Sequence, residues 1–402
     1  MKTSIAPAYQ NTPEGLDADT ILRTCVHCGL CTATCPTYQL LGDERDSPRG
    51  RIYLIKQVLE GKSVSRITRF HLDRCLICNA CETTCPSGVR YHHLLHIGRG
   101  IMDKKAPRPL HQRLQRLALR KILPYPKRLS PIVRLGRMIR PVLPNALGRQ
   151  IPQYQNLPPL PHRRHQRKVL MLEGCAQSVM TPKTNAALTR ILDRIDTAVV
   201  RASKTGCCGA VSYHLAADSE GMVFMRRNID AWWPYVEAGI EGIIISASGC
   251  GAMVKDYGYI FRHDPEYAEK AARISWLVRD PVTLLADADP EKLGVACKGR
   301  RIAFHAPCSL QHGLRLSGRI ESLLKKLGFT LTSVSDAHLC CGSAGTYSLL
   351  QPALSQRLLV NKLSHLEEGK PEVIATANVG CQLSLQTRAS VPVQHWIELL
   401  DV

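Results

Sequence analysis

Eight cysteines near the amino terminus fall into two runs of identical spacing, and no other feature restricts the fold of this chain as tightly. Cys25-x2-Cys28-x2-Cys31-x3-Cys35-Pro36 recurs as Cys75-x2-Cys78-x2-Cys81-x3-Cys85-Pro86, every thiol displaced by 50 positions. Three thiolates spaced by two residues wrap one corner of an iron–sulfur cubane, and the turn before proline throws the fourth away from it. The competing chemistry is a pair of zinc sites. Zinc knuckles use two separated C-x2-C pairs rather than three thiols in x2 steps followed by Cys-Pro. The spacing therefore predicts iron–sulfur ligation.

In two-cluster ferredoxins with this spacing, the fourth cysteine of each run serves the other centre. The predicted ligand sets are Cys25, Cys28, Cys31 and Cys85 for one [4Fe–4S] cluster, and Cys75, Cys78, Cys81 and Cys35 for the other. Between the runs, Ile52, Ile55, Val58 and Leu59 form a helical stripe that Gly61 ends. An insert of this length does not suit a compact β-rich ferredoxin, so residues 1–98 are expected to form a helical dicluster ferredoxin-like domain. Arg49 and Arg51 stand either near cluster sulfurs, where they would favour the reduced state, or on the surface as ordinary charges.

A second repeat fills the carboxyl-terminal half. Cys175, the pair Cys207–Cys208 and Cys250 recur as Cys308, the pair Cys340–Cys341 and Cys381, and both pairs continue into a glycine, Gly209 and Gly342. The runs KVLMLEGC, RIAFHAPC, GIIISASGC and VIATANVGC each lead a buried strand into a cysteine, and helical stretches such as 185–195 and 321–327 intervene. Strand alternating with helix implies parallel α/β packing, with ligand sites at the carboxyl ends of the strands. Four cysteines per repeat suit a further iron–sulfur cluster, a redox dithiol at the vicinal pair, or a metal-free fold staple. His305 and His312 flank Cys308 as tuning, ligating or purely structural residues. Cys297 is left over as an ordinary thiol. The expected fold class is α+β and multidomain: the dicluster domain at 1–98, a basic proline-rich linker at 99–167, and two Cys-Cys-Gly domains at 168–296 and 297–402.

At 402 residues and 45% hydrophobic composition the chain can bury real cores without disulfides, so its 17 cysteines call for a chemical reason. The amino-terminal sequence MKTSIAPAYQ lacks an apolar signal region, and no apolar run is long enough to cross a membrane. The expected setting is the reducing cytoplasm, where thiols bind metal or do redox work. The net charge of +20 is concentrated between Arg99 and Lys168, which hold 18 basic residues against one acid, Asp103. There Ile132, Leu135, Met138, Ile139, Val142 and Leu143 share one helical face, and Arg134, Arg137 and Arg140 another. A basic amphipathic helix suits an anionic lipid surface or an acidic partner. The alternative is a helix packing its apolar side on its own domains. No nucleic-acid motif accompanies the charge, so nucleic acid is not an expected partner.

With these motifs in hand, the chain resembles the iron–sulfur subunits of bacterial glycolate oxidase nearly end to end. The stretches that carry the resemblance are CVHCGLCTATCPTYQLLGDE, PRGRIYLIKQVLEG, HLDRCLICNACETTCPSGVRYH, VLMLEGCAQ, NIDAWWP, ASGCGA, LCCGSAGTY and HWIE. More distantly it is similar to lactate-utilisation iron–sulfur proteins, the third subunit of anaerobic glycerol-3-phosphate dehydrogenase, and heterodisulfide reductase. The resemblance implies an electron-transfer subunit of a glycolate dehydrogenase complex. Flavoprotein subunits would carry FAD and oxidise glycolate to glyoxylate. This chain would pass the electrons toward a membrane acceptor, quinone, while peripherally associated with the cytoplasmic face of the inner membrane. It also implies no glycolate oxidation by this chain alone, and no catalytic residue is singled out. The alternatives are a lactate or glycerol-3-phosphate dehydrogenase subunit, or an autonomous enzyme of the heterodisulfide reductase type. Against the last, Met253 and Ser384 stand where that pattern ends each repeat in cysteine. No dinucleotide fingerprint or phosphate loop is present in the chain.

Overall fold

The computed structural model describes residues 1–144, 148–161, 163, 165–294 and 299–401; the leftover thiol, Cys297, lies outside the described residues. The chain forms two compact units, Met1–Leu117 with His338–Leu358, and Ala118–Ala337 with Leu359–Val402.

The first unit is helical among its described residues. Its frame consists of α1 (Pro13–Thr24), α2 (Pro36–Leu41), α3 (Pro48–Leu59), α4 (Arg66–Asp73) and α5 (Tyr91–Lys105). Helix α3 shows why these boundaries arise. Ser47 caps it by accepting from the Gly50 N–H at 2.9 Å, Pro48 occupies the first turn, and Gly61 leaves it with φ 88°. Its inner face, Ile52, Ile55, Val58 and Leu59, packs with Ala18, Ile21 and Leu22 of α1 and Leu94 and Leu95 of α5. The helical stripe expected between the cysteine runs is this face. Each run is a loop with one short helical turn, Leu30–Thr32 in the first and Ala80–Thr83 in the second, and ends at proline: Cys35 stands immediately before α2, whose first residue is Pro36.

The second unit begins with α6 (Pro126–Ile139) and then holds two four-stranded sheets of identical topology. The first sheet contains β1 (Arg167–Met171), β2 (Thr197–Val200), β3 (Ile243–Ile244) and β4 (Val278–Arg279), in the order β2-β1-β3-β4. Its connections include α7 (Pro182–Arg194), α8 (Asp218–Glu237) and α9 (Ser248–Lys255). The second contains β5 (Arg301–His305), β6 (Thr330–Leu331), β7 (Val373–Thr376) and β8 (Val393–His395), in the order β6-β5-β7-β8, with α10 (Arg319–Lys326), α12 (Val379–Gln386) and, from Leu359 onward, the rest of α11 (Pro352–Glu367), which begins in the first unit. Every pairing is parallel; Leu170 lies beside Val200 on one side and Ile243 on the other. The strands read as continuous apolar runs because both faces are covered. One apolar cluster runs through both sheets, from Val169 and Met171 through Ile302 and Phe304 to Val373 and Trp396.

Helix α6 answers the question its two arginine-flanked faces posed. Leu129 and Val133 are its buried residues, whereas Ile132 is 50% exposed, Leu135 60% and Met138 78%. The apolar stripe noted in the sequence faces solvent, and a different pair of side chains does the packing.

Candidate functional site

Two pockets in the first unit are lined by the cysteine runs. One is walled by Cys25, Cys28, Cys31 and Cys85, together with Pro86, Val89 and Arg49. The other is walled by Cys35, Cys75, Cys78 and Cys81, together with Pro36, Thr37 and Arg51. The fourth thiol of each run thus faces the pocket of the other run. Pro48, Cys81 and Tyr91 line both pockets, so the two are neighbours that share a wall.

The backbone explains how three thiols turn inward within seven residues. In the first run His27 has φ 59° and Gly29 has φ 86°; in the second Ile77 has φ 54° and Asn79 has φ 60°. The left-handed residues stand at the same two steps after the leading cysteine in each run. Alternation of right- and left-handed residues turns successive N–H groups to one side, which is the construction of an anion-binding nest. For a β-branched residue such as Ile77 this conformation is costly, and strain of this kind concentrates at ligand-holding loops.

Electrostatics favour negative charge in the second pocket. Arg51 is fully buried; burial opposes its charge, but Cys75, Tyr91, Cys35 and Asp46 hold the guanidinium protonated even above its ordinary range. Its Nη2 donates to Asp46 at 3.2 Å, its Nε to the His71 carbonyl at 2.8 Å and its Nη1 to Thr37 Oγ1 at 3.1 Å. Thr37 Oγ1 lies 3.3 Å from Cys35 Sγ, and Arg74 closes on the other Asp46 oxygen at 2.7 Å. The surface reading of Arg51 is thereby corrected: it is buried, and Asp46, the His71 carbonyl and Thr37 satisfy its guanidinium there. Arg49 stays partly exposed, pairs with Glu44 at 2.8 Å, and stacks against Gly29, where a Cβ would come within 2.8 Å of its Nη1. Tyr91 donates to Cys75 Sγ at 3.7 Å. Burial pushes the Cys31 thiol up to about 11 and the Cys81 thiol well above its ordinary value. A bound cation would displace those protons, as metal–thiolate sites require.

In the second unit the first repeat gathers all four of its cysteines. Cys175 follows β1, Cys207 and Cys208 follow β2, and Cys250 sits in the first turn of α9 after β3. The order β2-β1-β3 makes the β1/β3 boundary a switch point, where adjacent crossovers leave in opposite directions and open a crevice. Cys175 Sγ lies 3.6 Å from Cys207 Sγ, and the Cys208 thiol stands in hydrogen-bonding reach of Cys207 and Cys250. Cys207 and Cys208 are almost inaccessible to solvent. The loop is fixed from behind: Asn228 Nδ2 donates to the Cys207 carbonyl at 2.9 Å, and Tyr257 to the Cys208 carbonyl at 2.8 Å. Gly209 has φ 87°, and a Cβ there would stand 2.8 Å from the Gly221 carbonyl oxygen. Its N–H donates to Cys207 Sγ at 3.4 Å.

The second repeat copies that turn. Gly342 has φ 82°, a Cβ on it would stand 2.6 Å from the Ser355 carbonyl oxygen, and its N–H donates to Cys340 Sγ at 3.4 Å. Cys340 and Cys341 belong to the first unit, where Tyr347 of the same segment donates to the Arg74 carbonyl at 3.1 Å. Cys308, which precedes the turn Ser309–Gly313, and Cys381, in the first turn of α12, belong to the second unit. Asn378 Nδ2 donates to Cys381 Sγ at 3.6 Å. His312 is half-buried in the Ser309–Gly313 turn, and His305 is buried at the end of β5.

Sequence reasoning missed Thr37, Tyr91, Asn228 and Tyr257, none of which belongs to a spaced motif. The signal that could have found Tyr91 is its place just past the second Cys-Pro, at the mouth of α5.

All-sulfur donor sets, nests of N–H groups and a buried cation fit iron–sulfur clusters. Comparison with known proteins agrees. Residues 21–89 match the 4Fe-4S dicluster domain family, and residues 169–255 and 302–386 each match the cysteine-rich CCG domain family. The glycolate oxidase iron-sulfur subunit of Escherichia coli K12 is 53% identical over 402 residues, covering 100% of this chain and 98% of that protein. A probable glycolate oxidase iron-sulfur subunit of Bacillus subtilis is 29% identical over 91% of this chain and 88% of its own length. Lactate utilization protein A of Geobacillus thermodenitrificans is 27% identical over 58% of this chain and 98% of its own. The repeated Cys-Cys-Gly halves, the dicluster domain and the end-to-end match together make this chain a member of the glycolate oxidase iron–sulfur subunit family.

Proposed function

We propose that this chain is the electron-transfer subunit of a glycolate-oxidising complex. It takes electrons from flavoprotein subunits that convert glycolate to glyoxylate and delivers them toward quinone at the cytoplasmic face of the inner membrane. Cys25, Cys28, Cys31 and Cys85 hold one [4Fe–4S] cluster, and Cys35, Cys75, Cys78 and Cys81 the other. Cys175, Cys207, Cys208 and Cys250 of the first repeat, and Cys308, Cys340, Cys341 and Cys381 of the second, are further candidate redox or metal ligands. The working domains are 1–98, the basic linker 99–167, and the Cys-Cys-Gly domains 168–296 and 297–402. The clusters supply one-electron redox chemistry when bound. The chain supplies the thiolates, the N–H nests, burial and the Arg51 charge, which favours the more negative reduced form.

The observation that carries this reading is the crossed construction of the two thiol pockets in a chain whose relative of 53% identity bears the same subunit name. The exposed stripe of α6, set in the most basic part of the chain, supports contact with an anionic membrane surface.

The test is the complex purified without oxygen, with glycolate as donor and a soluble quinone as acceptor. Cys28→Ser and Cys78→Ser should each lower the iron content by about four per chain, the loss of one cubane. Each should stop quinone reduction while glycolate still bleaches the partner's flavin. Full turnover in either variant, or glycolate oxidation by this chain alone, would overturn the reading. Lactate in place of glycolate identifies the substrate in the same assay.

A further inference from the structure

The two Cys-Cys-Gly repeats differ in what they bury beside their cysteines. Displaced by 133 positions, Leu172 of the first repeat becomes His305 of the second, and Ile229 becomes Lys362. Leu172 and Ile229 are buried and apolar; His305 and Lys362 are buried to the same degree, 2% exposed each. The displacement holds in space, because the glycines of the two turns face Met225 and Leu358, which are themselves 133 apart.

A buried imidazole ordinarily finds a hydrogen-bond partner for at least one nitrogen. Among the described residues neither Nδ1 nor Nε2 of His305 has one. One of these nitrogens lies within 4.8 Å of Cys381 Sγ, and Cys308 follows His305 by three residues. Lys362 donates to the Asp336 carbonyl at 2.7 Å, so its ammonium is fixed in place. An apolar core would have kept leucine and isoleucine. The second repeat instead holds an imidazole, two thiols and a fixed cation near the carboxyl end of β5.

We propose that His305 is a nitrogen ligand to an iron centre of the second repeat, alongside Cys308 and Cys381. This rests on the reading that the second repeat carries such a centre. An imidazole in place of a thiolate makes the centre one charge less negative and raises its potential, as histidine ligation does in other iron–sulfur centres. The second repeat would then be the more oxidising of the pair and the first, with four thiols and no imidazole among its gathered side chains, the more reducing.

The experiment uses the anaerobically purified complex and reads iron content, redox titration and pulsed EPR. Wild-type protein carrying 15N-histidine should show a directly coordinated nitrogen on one paramagnetic centre, a measurement that needs no substitution. His305→Gln should abolish that coupling, and His305→Cys should shift the same centre to lower potential, with the remaining centres unmoved. Cys381→Ser should lower the iron content. A coupling that survives His305→Gln overturns the proposal. So does its absence from the wild type when Cys381→Ser still removes iron, which leaves the second-repeat centre standing without a histidine ligand. If Cys381→Ser removes no iron, the reading of a second-repeat iron centre fails, and the histidine assignment falls with it.

Discussion

Asp280 illustrates how one side chain can set a pH response for the fold. It follows β4 at the start of the turn Val282–Leu285, where its Oδ1 accepts from the Val282 N–H at 3.0 Å and its Oδ2 is buried with no partner among the described residues. Burial pushes its carboxyl up to about 7, against about 3.9 in an unfolded chain. A raised carboxyl favours folding while it is protonated. Its contribution is therefore complete below about pH 4 and is lost as pH climbs through 7, by at most about 4 kcal/mol. Asp280→Asn should remove this slope, so its melting temperature relative to the wild type should rise between pH 5 and pH 8. An unchanged difference across that range would refute the assignment. At this scale the sequence is a partial guide. The cysteines announce themselves through spacing, whereas Arg51 does not, because its burial depends on Asp46, Thr37 and the His71 carbonyl arriving from three separate segments. The left-handed Ile77 was equally invisible, since nothing in an isoleucine advertises a positive φ.

Among the elements, the strands ending in cysteine and the stripe of α3 were legible because each couples a strong periodicity to a terminating signal. Helix α6 was legible only in part. Its apolar positions are not confined to the stripe opposite the arginines, and choosing which of them pack requires the partner surface, which periodicity does not contain. The structure buries Leu129 and Val133 and leaves Ile132, Leu135 and Met138 outside. If that stripe meets lipid, Leu135→Glu with Met138→Glu should reduce binding to vesicles rich in phosphatidylglycerol by tenfold or more, roughly the cost of withdrawing two large side chains. Because both positions are exposed, thermal stability should change little; a matched loss of stability would show that the stripe packs within the protein.

For the whole molecule, charge is the property most unevenly spread. A net +20 with 18 basic residues between Arg99 and Lys168 predicts adhesion to anionic surfaces that weakens with salt. Vesicle binding should fall steeply between about 0.1 M and about 1 M salt, as the screening length shrinks from about 10 Å to about 3 Å. Binding that persists unchanged would assign the contact to apolar insertion alone. The repeat architecture was readable at this scale from the cysteine displacement, since a repeated fold needs only a repeated pattern. The grouping of His338–Leu358 with the amino-terminal unit was not, because it depends on tertiary contacts, such as Tyr347 with Arg74, between segments more than 250 positions apart.

The exchange of fourth thiols between the cysteine loops also bears on how this unit can mature. Each loop supplies only three of the sulfurs around its own pocket, so neither pocket is complete until both loops have folded and met. Damage to Cys35 or Cys85 is therefore felt across the shared wall, and loading must proceed as a joint event in which a half-built unit has no finished cradle to fill.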